Sequence, residues 1–179
     1  STPDRPDGPA ATITEEMTGG EGLFMATGAA DLGDAYVEEE FLAEGTATSY
    51  APVGEITADG RWTLEPDEEA DYATRIVVRR PAEADDASGT VLVEWLNVSG
   101  GVDADAGYST LAEEVVRSGH TWVGVSAQLI GIEGGDVAVE VDVAGAEAQG
   151  QGLKALDPER YGELTHPGDG FSFDIFTQV

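Results

Sequence analysis

The chain has 179 residues, 41% apolar and 7% aromatic, which suits one domain with its own core and argues against a wholly disordered acidic tail. Thirty-six acids against eight bases leave a formal charge of −28, a field that repels nucleic acid and anionic lipid, so neither is expected as a partner. There are no cysteines and two histidines, which excludes disulfides, thiolate chemistry and a histidine-rich metal site, and no apolar run approaches the roughly 20 residues of a membrane span.

Residues 1 to about 20 are rich in Pro, Gly and Thr and read as an extended arm with one strand at Ala11 to Met17. Tyr36 to Tyr50 alternates and reads as one or two strands interrupted at Gly45. Arg61 to Leu64 is a short predicted strand after the Asp59-Gly60 turn. Tyr72 to Arg80 is a strand stopped by Pro81, and Thr90 to Asn97 is a strongly apolar one. The short acidic linker between them predicts that they are sheet neighbours. Tyr108, Leu111, Ala112, Val115 and Val116 recur at helical spacing on one face. Thr110 and Glu113 have capping-box spacing, and Gly119 ends that helix. Thr121 to Ala127 is the next strand. Strand, helix and strand over residues 90–127 make a βαβ unit, with parallel strands and a right-handed crossover. Gly131 to Gly152 reads as a loop with some helix. Asp157-Pro158-Glu159-Arg160 starts a helix with an acidic cap and Pro at its first position, and Phe171 to Val179 opens another.

The acids are dispersed in runs such as Glu38-Glu39-Glu40, Asp67-Glu68-Glu69 and Glu83-Ala84-Asp85-Asp86, which predicts a carboxylate-covered surface. Dispersed carboxylates with few lysines keep a protein hydrated in concentrated salt. The reading is a salt-adapted, halophilic protein, set against an ordinary acidic one. It predicts a fold that loosens in low salt, where carboxylate repulsion is unscreened.

The nucleophile elbow G-x-S-x-G is absent. Gly124-Val125-Ser126-Ala127-Gln128 carries its first half only, so Ser126 reads as a strand-end serine. Trp95-Leu96-Asn97-Val98-Ser99-Gly100-Gly101 runs from a buried strand into glycines, where open α/β sheets bind ligands. It fits two readings equally. One is an oxyanion-hole loop built on backbone N–H groups around Asn97 and Val98; the other is a tight strand-to-helix turn. Asp103-Ala104-Asp105-Ala106-Gly107 has part of a calcium loop without its closing glutamate, and reads as acids at a helix N-terminus. His120 reads as a turn or surface residue. His166-Pro167-Gly168-Asp169-Gly170 reads first as a rigid turn capped by Asp169 and second as the border of a site. Glu94, inside an apolar strand, needs a partner, and Arg75 or Arg79 on the neighbouring strand is expected to supply it.

Several long motifs carry a resemblance. They are Tyr36-Val37-Glu38-Glu39-Glu40-Phe41, Glu44-Gly45-Thr46-Ala47-Thr48-Ser49-Tyr50, the run from Tyr72 to Pro81, the run from Gly89 to Gly101, Trp122 to Gln128, Asp157 to Gly162 and His166 to Phe176. In this order they resemble the N-terminal part of a large uncharacterised alpha/beta hydrolase domain family. The resemblance implies an α/β fold: an incomplete, doubly wound α/β-hydrolase-type sheet with a β-rich N-terminal extension. Residues 1–70 would form the arm and extension, and 71–179 the first part of the hydrolase core. It implies a serine hydrolase, an esterase acting on a small-molecule carboxylic ester, with no cofactor and no metal. The loop after the third sheet strand would be the oxyanion loop, with Asn97, Val98 and Ser99 as its residues and Gln128 and His166 lining the pocket. The family's elbow serine, acid and histidine come after the helix that starts near Phe171. The chain is thus expected to be a fragment, inactive alone, whose partner is the remainder of the hydrolase domain in the same or a separate chain. An unpaired sheet edge would make it unstable or self-associating. The rival reading is a non-catalytic α/β binding or interaction module, and a metal-dependent hydrolase is a further one. Localisation is not fixed by the sequence.

Overall fold

In a computed structural model, residues 8–139 and 146–179 are described. Five strands form one mixed sheet: β1 (Thr12–Glu16), β2 (Tyr36–Pro52), β3 (Leu64–Pro81), β4 (Val91–Trp95) and β5 (Thr121–Val125). Their order across the sheet is β1-β2-β3-β5-β4. All pairings are antiparallel except β4 with β5, which is parallel as the βαβ pattern requires. The crossover helix is α1 (Ala106–Arg117). Short helices follow at α2 (Leu129–Glu133), α3 (Gly152–Leu156) and α4 (Pro158–Tyr161), and α5 (Ser172–Gln178) comes last. The predicted loop over residues 131–152 thus carries helix at both ends; residues 140–145 lie outside the described residues, as do residues 1–7 of the predicted arm.

The period-2 register sorts side chains onto two faces. Val77 and Trp122 pack with Leu96 against Tyr108 and Val115 of α1. Ile76, Ala43 and Val125 face the other way, where Phe176 of α5 packs on them. Helices therefore cover both faces of a mixed sheet, which is an α/β fold. Among the described residues no helix is long and apolar enough to cross a membrane.

Four expectations are corrected. β3 and β4 are not neighbours, because β5 lies between them. The link from Ala82 to Thr90 has only to span two strand spacings, about 10 Å, and a short chain does so easily. Gly45 does not interrupt β2, which is continuous and pairs Gly45 with Tyr72. A Cβ there would lie 2.7 Å from Gln178 Oε1 and 3.0 Å from the Tyr72 ring, so this glycine makes room for a contact. Arg61 to Thr63 precede the strand, which begins at Leu64 and runs unbroken to Pro81. Thr110 does not cap α1. It lies inside the helix, its hydroxyl donating to Ala106 O (3.1 Å).

Other local signals hold. Gly119, at φ 67°, ends α1: its N–H donates to Val116 O (3.3 Å) and that of His120 to Val115 O (3.0 Å), the two bonds of a Schellman motif. Asp157 accepts from Arg160 N (3.1 Å), with Pro158 in the first turn of α4.

The acid run at residues 38–40 is not a solvated surface. Glu40 is buried and binds both Arg75 and Arg160 at 2.6 Å, Glu38 binds Arg79 at 2.6 Å and Glu39 binds Arg80 at 2.8 Å. Hairpin pairing of β2 with β3 sets an acidic stretch beside an arginine-bearing one, and neutralising pairs follow.

Candidate functional site

Because β4 and β5 are parallel neighbours, their carboxyl ends share one edge of the sheet. The loop leaving β4 and the segment leaving β5 therefore meet there. This brings Asn97, Val98 and Ser99 to the same end of the molecule as Gln128 and His166.

The β4–α1 loop is closed on itself. Asn97 and Ala104 exchange two backbone hydrogen bonds, 2.8 and 2.9 Å. Inside it, Asn97 Oδ1 accepts from Ser99 N (3.0 Å) and Val98 O from Gly101 N (2.8 Å). The following segment ties it down from outside: Ser99 O accepts from Ala138 N (2.9 Å) and Val139 N (3.0 Å), and Gly100 O from Gly150 N (3.1 Å). Asn97 and Ser99 have thus spent their backbone N–H groups. The N–H of Val98 donates to no described residue.

A charged layer lies beneath this loop. Asp103, Arg75 and Ser126 are all fully buried. Asp103 Oδ2 accepts from Arg75 Nη2 (3.0 Å) and Nε (3.3 Å) and from the Ser126 hydroxyl. Arg75 also donates to Glu40 (2.6 Å) and Phe24 O (2.8 Å). Burial pulls the Arg75 pKa down, but the carboxylates of Asp103 and Glu40 more than reverse this, and the guanidinium stays charged. Ser126 accepts from Arg75 Nε (3.0 Å) while donating to Asp103, so its hydroxyl is engaged on both sides, as befits a strand-end serine.

The partners foreseen for these groups are rearranged. Glu94 pairs with neither Arg75 nor Arg79. Its carboxylate accepts from Gly107 N (2.7 Å), Tyr108 N (2.8 Å) and Trp122 Nε1 (2.9 Å), so it caps the N-terminus of α1 from the adjacent strand. Asp103 and Asp105, read as the acids of that helix end, instead pair with Arg75 and Arg79. Arg75 and Arg79, four residues apart, share one sheet face, and two acids two residues apart in the loop reach them. Among the described residues no three His, Asp or Glu side chains gather where a metal ion would be held.

At the β5 side, Gln128 Oε1 accepts from Trp95 Nε1 (2.9 Å), which ties the two strand ends together. His166 Nε2 lies 2.9 Å from Ala127 O, and Gly168 N donates to its Nδ1 (3.1 Å). A carbonyl only accepts and an amide N–H only donates, so Nε2 carries the proton. Burial pushes the His166 pKa below its ordinary value. Asp169 Oδ1 accepts from Leu129 N (2.9 Å) at the start of α2. The His-Pro-Gly-Asp turn is thus a rigid clamp over the end of β5.

An aromatic cluster here was not foreseen as part of a site. Trp95 meets the rings of Phe173 and Phe176, each at 5.3 Å between centroids, and Phe173 is 75% exposed. Its signal in the sequence was an aromatic out of phase with the apolar side of α5. A separate groove of about 700 Å³ runs between residues 27–31 and α1, and includes none of Asn97, Val98, Ser99, Gln128 or His166.

The chain matches no curated protein and no solved structure. A family model described as an alpha/beta hydrolase domain matches residues 6–179, nearly the whole chain, in agreement with the two-faced mixed sheet and the loop at its strand ends. The chain belongs to the alpha/beta hydrolase domain family.

Proposed function

We propose that this chain supplies the oxyanion loop and part of the pocket wall of a salt-adapted serine hydrolase acting on carboxylic esters. The nucleophile, its histidine and its acid lie outside this chain. The observation that carries the reading is the unspent N–H of Val98, in a closed loop at the carboxyl end of a parallel strand.

In such an enzyme a serine Oγ attacks the acyl carbonyl carbon, a histidine takes the serine proton, and the carbonyl oxygen becomes an oxyanion. One donor to that oxygen comes from a loop at the carboxyl end of a sheet strand, here the one after β4, and another from the residue after the nucleophile. Val98 N–H is the first donor in this reading. A single such donor lowers the barrier by about 2.7–4 kcal/mol. Asn97 and Ser99 act by holding the turn: the Asn97 side chain engages Ser99 N, so that of these three residues Val98 alone has an N–H that donates to no described residue. Gln128 and His166 border the pocket, and neither imidazole serves the reaction. His166 is held by Ala127 and Gly168, and His120 Nδ1 lies 2.7 Å from Ser88 Oγ. We place the rest of the hydrolase against the open edge at β4, where Val91 and Val93 stand exposed.

A fluorophosphonate probe, applied to the native preparation in concentrated salt and read by intact mass, tests the reading. The expected result is a phosphonylated serine on a polypeptide that carries an elbow motif, and none on the 18.6 kDa chain. An adduct on Ser126 or Ser99, or no adduct in any polypeptide, would overturn it.

A further inference from the structure

We infer that Arg75, acting through Asp103, is the positioning residue of the β4–α1 loop and fixes the direction of the Val98 N–H. The catalytic consequence rests on the function proposed above; the positioning itself does not.

The guanidinium is immobile. It is fully buried and held by Glu40 (2.6 Å), Phe24 O (2.8 Å) and the Tyr161 hydroxyl (3.3 Å) before it reaches the loop. Its Nη2 donates to one oxygen of Asp103, its Nε is shared between that oxygen and Ser126 Oγ, and the same oxygen takes the Ser126 hydroxyl. Asp103 adjoins Ala104, one half of the bridge that closes the loop, and its own carbonyl accepts from Ala26 N (3.0 Å). A charge-assisted fork on a buried carboxylate fixes both its position and its orientation.

The second oxygen of Asp103 has no hydrogen-bond partner among the described residues, although it is buried. Buried acceptors are nearly always satisfied, so one left open calls for an explanation. This oxygen lies against Gly131 of α2. A Cβ built on Gly131 would overlap it and would also come within 3.1 Å of Val98 Cγ1. Asp103, Gly131 and Val98 therefore pack as one block, and the carboxylate keeps an unpaired oxygen because packing against α2 holds it there. Asp103 and Val98 both border Gly131, so a shift of Asp103 reaches Val98 through α2 as well as through the Asn97–Ala104 bridge. Asp105, the other buried carboxylate of this stretch, pairs with Arg79 at the head of α1 and lies beyond the Asn97–Ala104 bridge.

Amide hydrogen exchange on the full chain in concentrated salt tests this. The reporters are Asn97 and Ala104, which form the bridge, with Ala73 and Thr121, bonded to Thr165 O and Thr90 O at 3.0 Å, as references. Asp103→Asn should speed exchange at the bridge about tenfold more than at the references, a local opening. Asp105→Asn should speed all four in parallel. Ser126→Ala, a milder change, should reproduce the local pattern at about threefold should Asp103→Asn not fold. A bridge that responds no more than the references in the variant that folds would overturn the inference, leaving Arg75 as core stabiliser only. In the intact hydrolase, Asp103→Asn should lower kcat for a p-nitrophenyl ester about tenfold with KM unchanged. A loosened bridge with unchanged kcat would refute the oxyanion assignment of Val98 while the positioning stands.

Discussion

Replacing Glu94 by alanine should destabilise the fold by about 2–4 kcal/mol. The figure is built from the groups that lose their acceptor. Glu94 takes the N–H groups of Gly107 and Tyr108 in the first turn of α1, and loss of an anion at a helix N-terminus costs about 1 kcal/mol. The indole N–H of Trp122 is the third donor. Trp122 is 2% exposed, and a buried donor that loses its acceptor costs about 1–3 kcal/mol. Glu94→Gln keeps an acceptor without the charge and should lose about half as much. The assay is urea unfolding in concentrated salt, reading the midpoint at constant m-value. A double-mutant cycle with Trp122→Phe should return a coupling of about 1 kcal/mol. Glu94→Ala within about 0.5 kcal/mol of the parent, the range of an ordinary surface substitution, would refute the reasoning.

Three further outcomes are expected. With a formal charge of −28, the melting temperature should climb as NaCl is raised, since the screening length falls from about 10 Å at 0.1 M to about 3 Å at 1 M; a flat or falling curve in a salt series would contradict salt adaptation. The His166 pKa is depressed by burial, so the unfolded chain binds more protons near the ordinary histidine value of about 6.5. Its contribution is therefore present above that pH and lost as pH falls, and His166→Gln should show a shallower stability loss between about pH 7 and pH 5 than the parent; equal slopes would count against it. Gly119→Ala forces a side chain into left-handed backbone and sets its Cβ 2.5 Å from Asp86 O, so calorimetry should show a loss of about 1–2 kcal/mol or more, and an unchanged melting temperature would argue against the motif.

What was legible in the sequence was whatever local periodicity and turn chemistry decide. The βαβ unit, the glycine stop at Gly119 and the Asp157 cap all depend on residues within a few positions of one another. The order of the strands was not legible, because a linker as short as residues 82–90 serves a neighbouring strand and a strand two places away equally well. Ion-pair partners failed for the same reason. Arg75 and Arg79 plainly needed carboxylates, and Glu94 lay in the strand expected beside them, but the tertiary arrangement gave them Glu40, Glu38, Asp103 and Asp105. Glu94 was claimed by helix N–H groups that only the crossover brings above it. At the candidate site the residues of the loop were named from glycine content and strand position. Which of their N–H groups is free depends on the Asn97–Ala104 bridge, a pairing that no spacing rule announces.

The most direct test is a crystal structure of the proposed hydrolase containing this chain, trapped with an alkyl phosphonate on its nucleophile. The phosphonyl oxygen stands where the oxyanion would form. Val98 N is expected about 2.7–3.1 Å from that oxygen, donating to it, with Asn97 Oδ1 still holding Ser99 N. A phosphonyl oxygen held by other donors, with Val98 N out of reach, would contradict the oxyanion assignment of Val98.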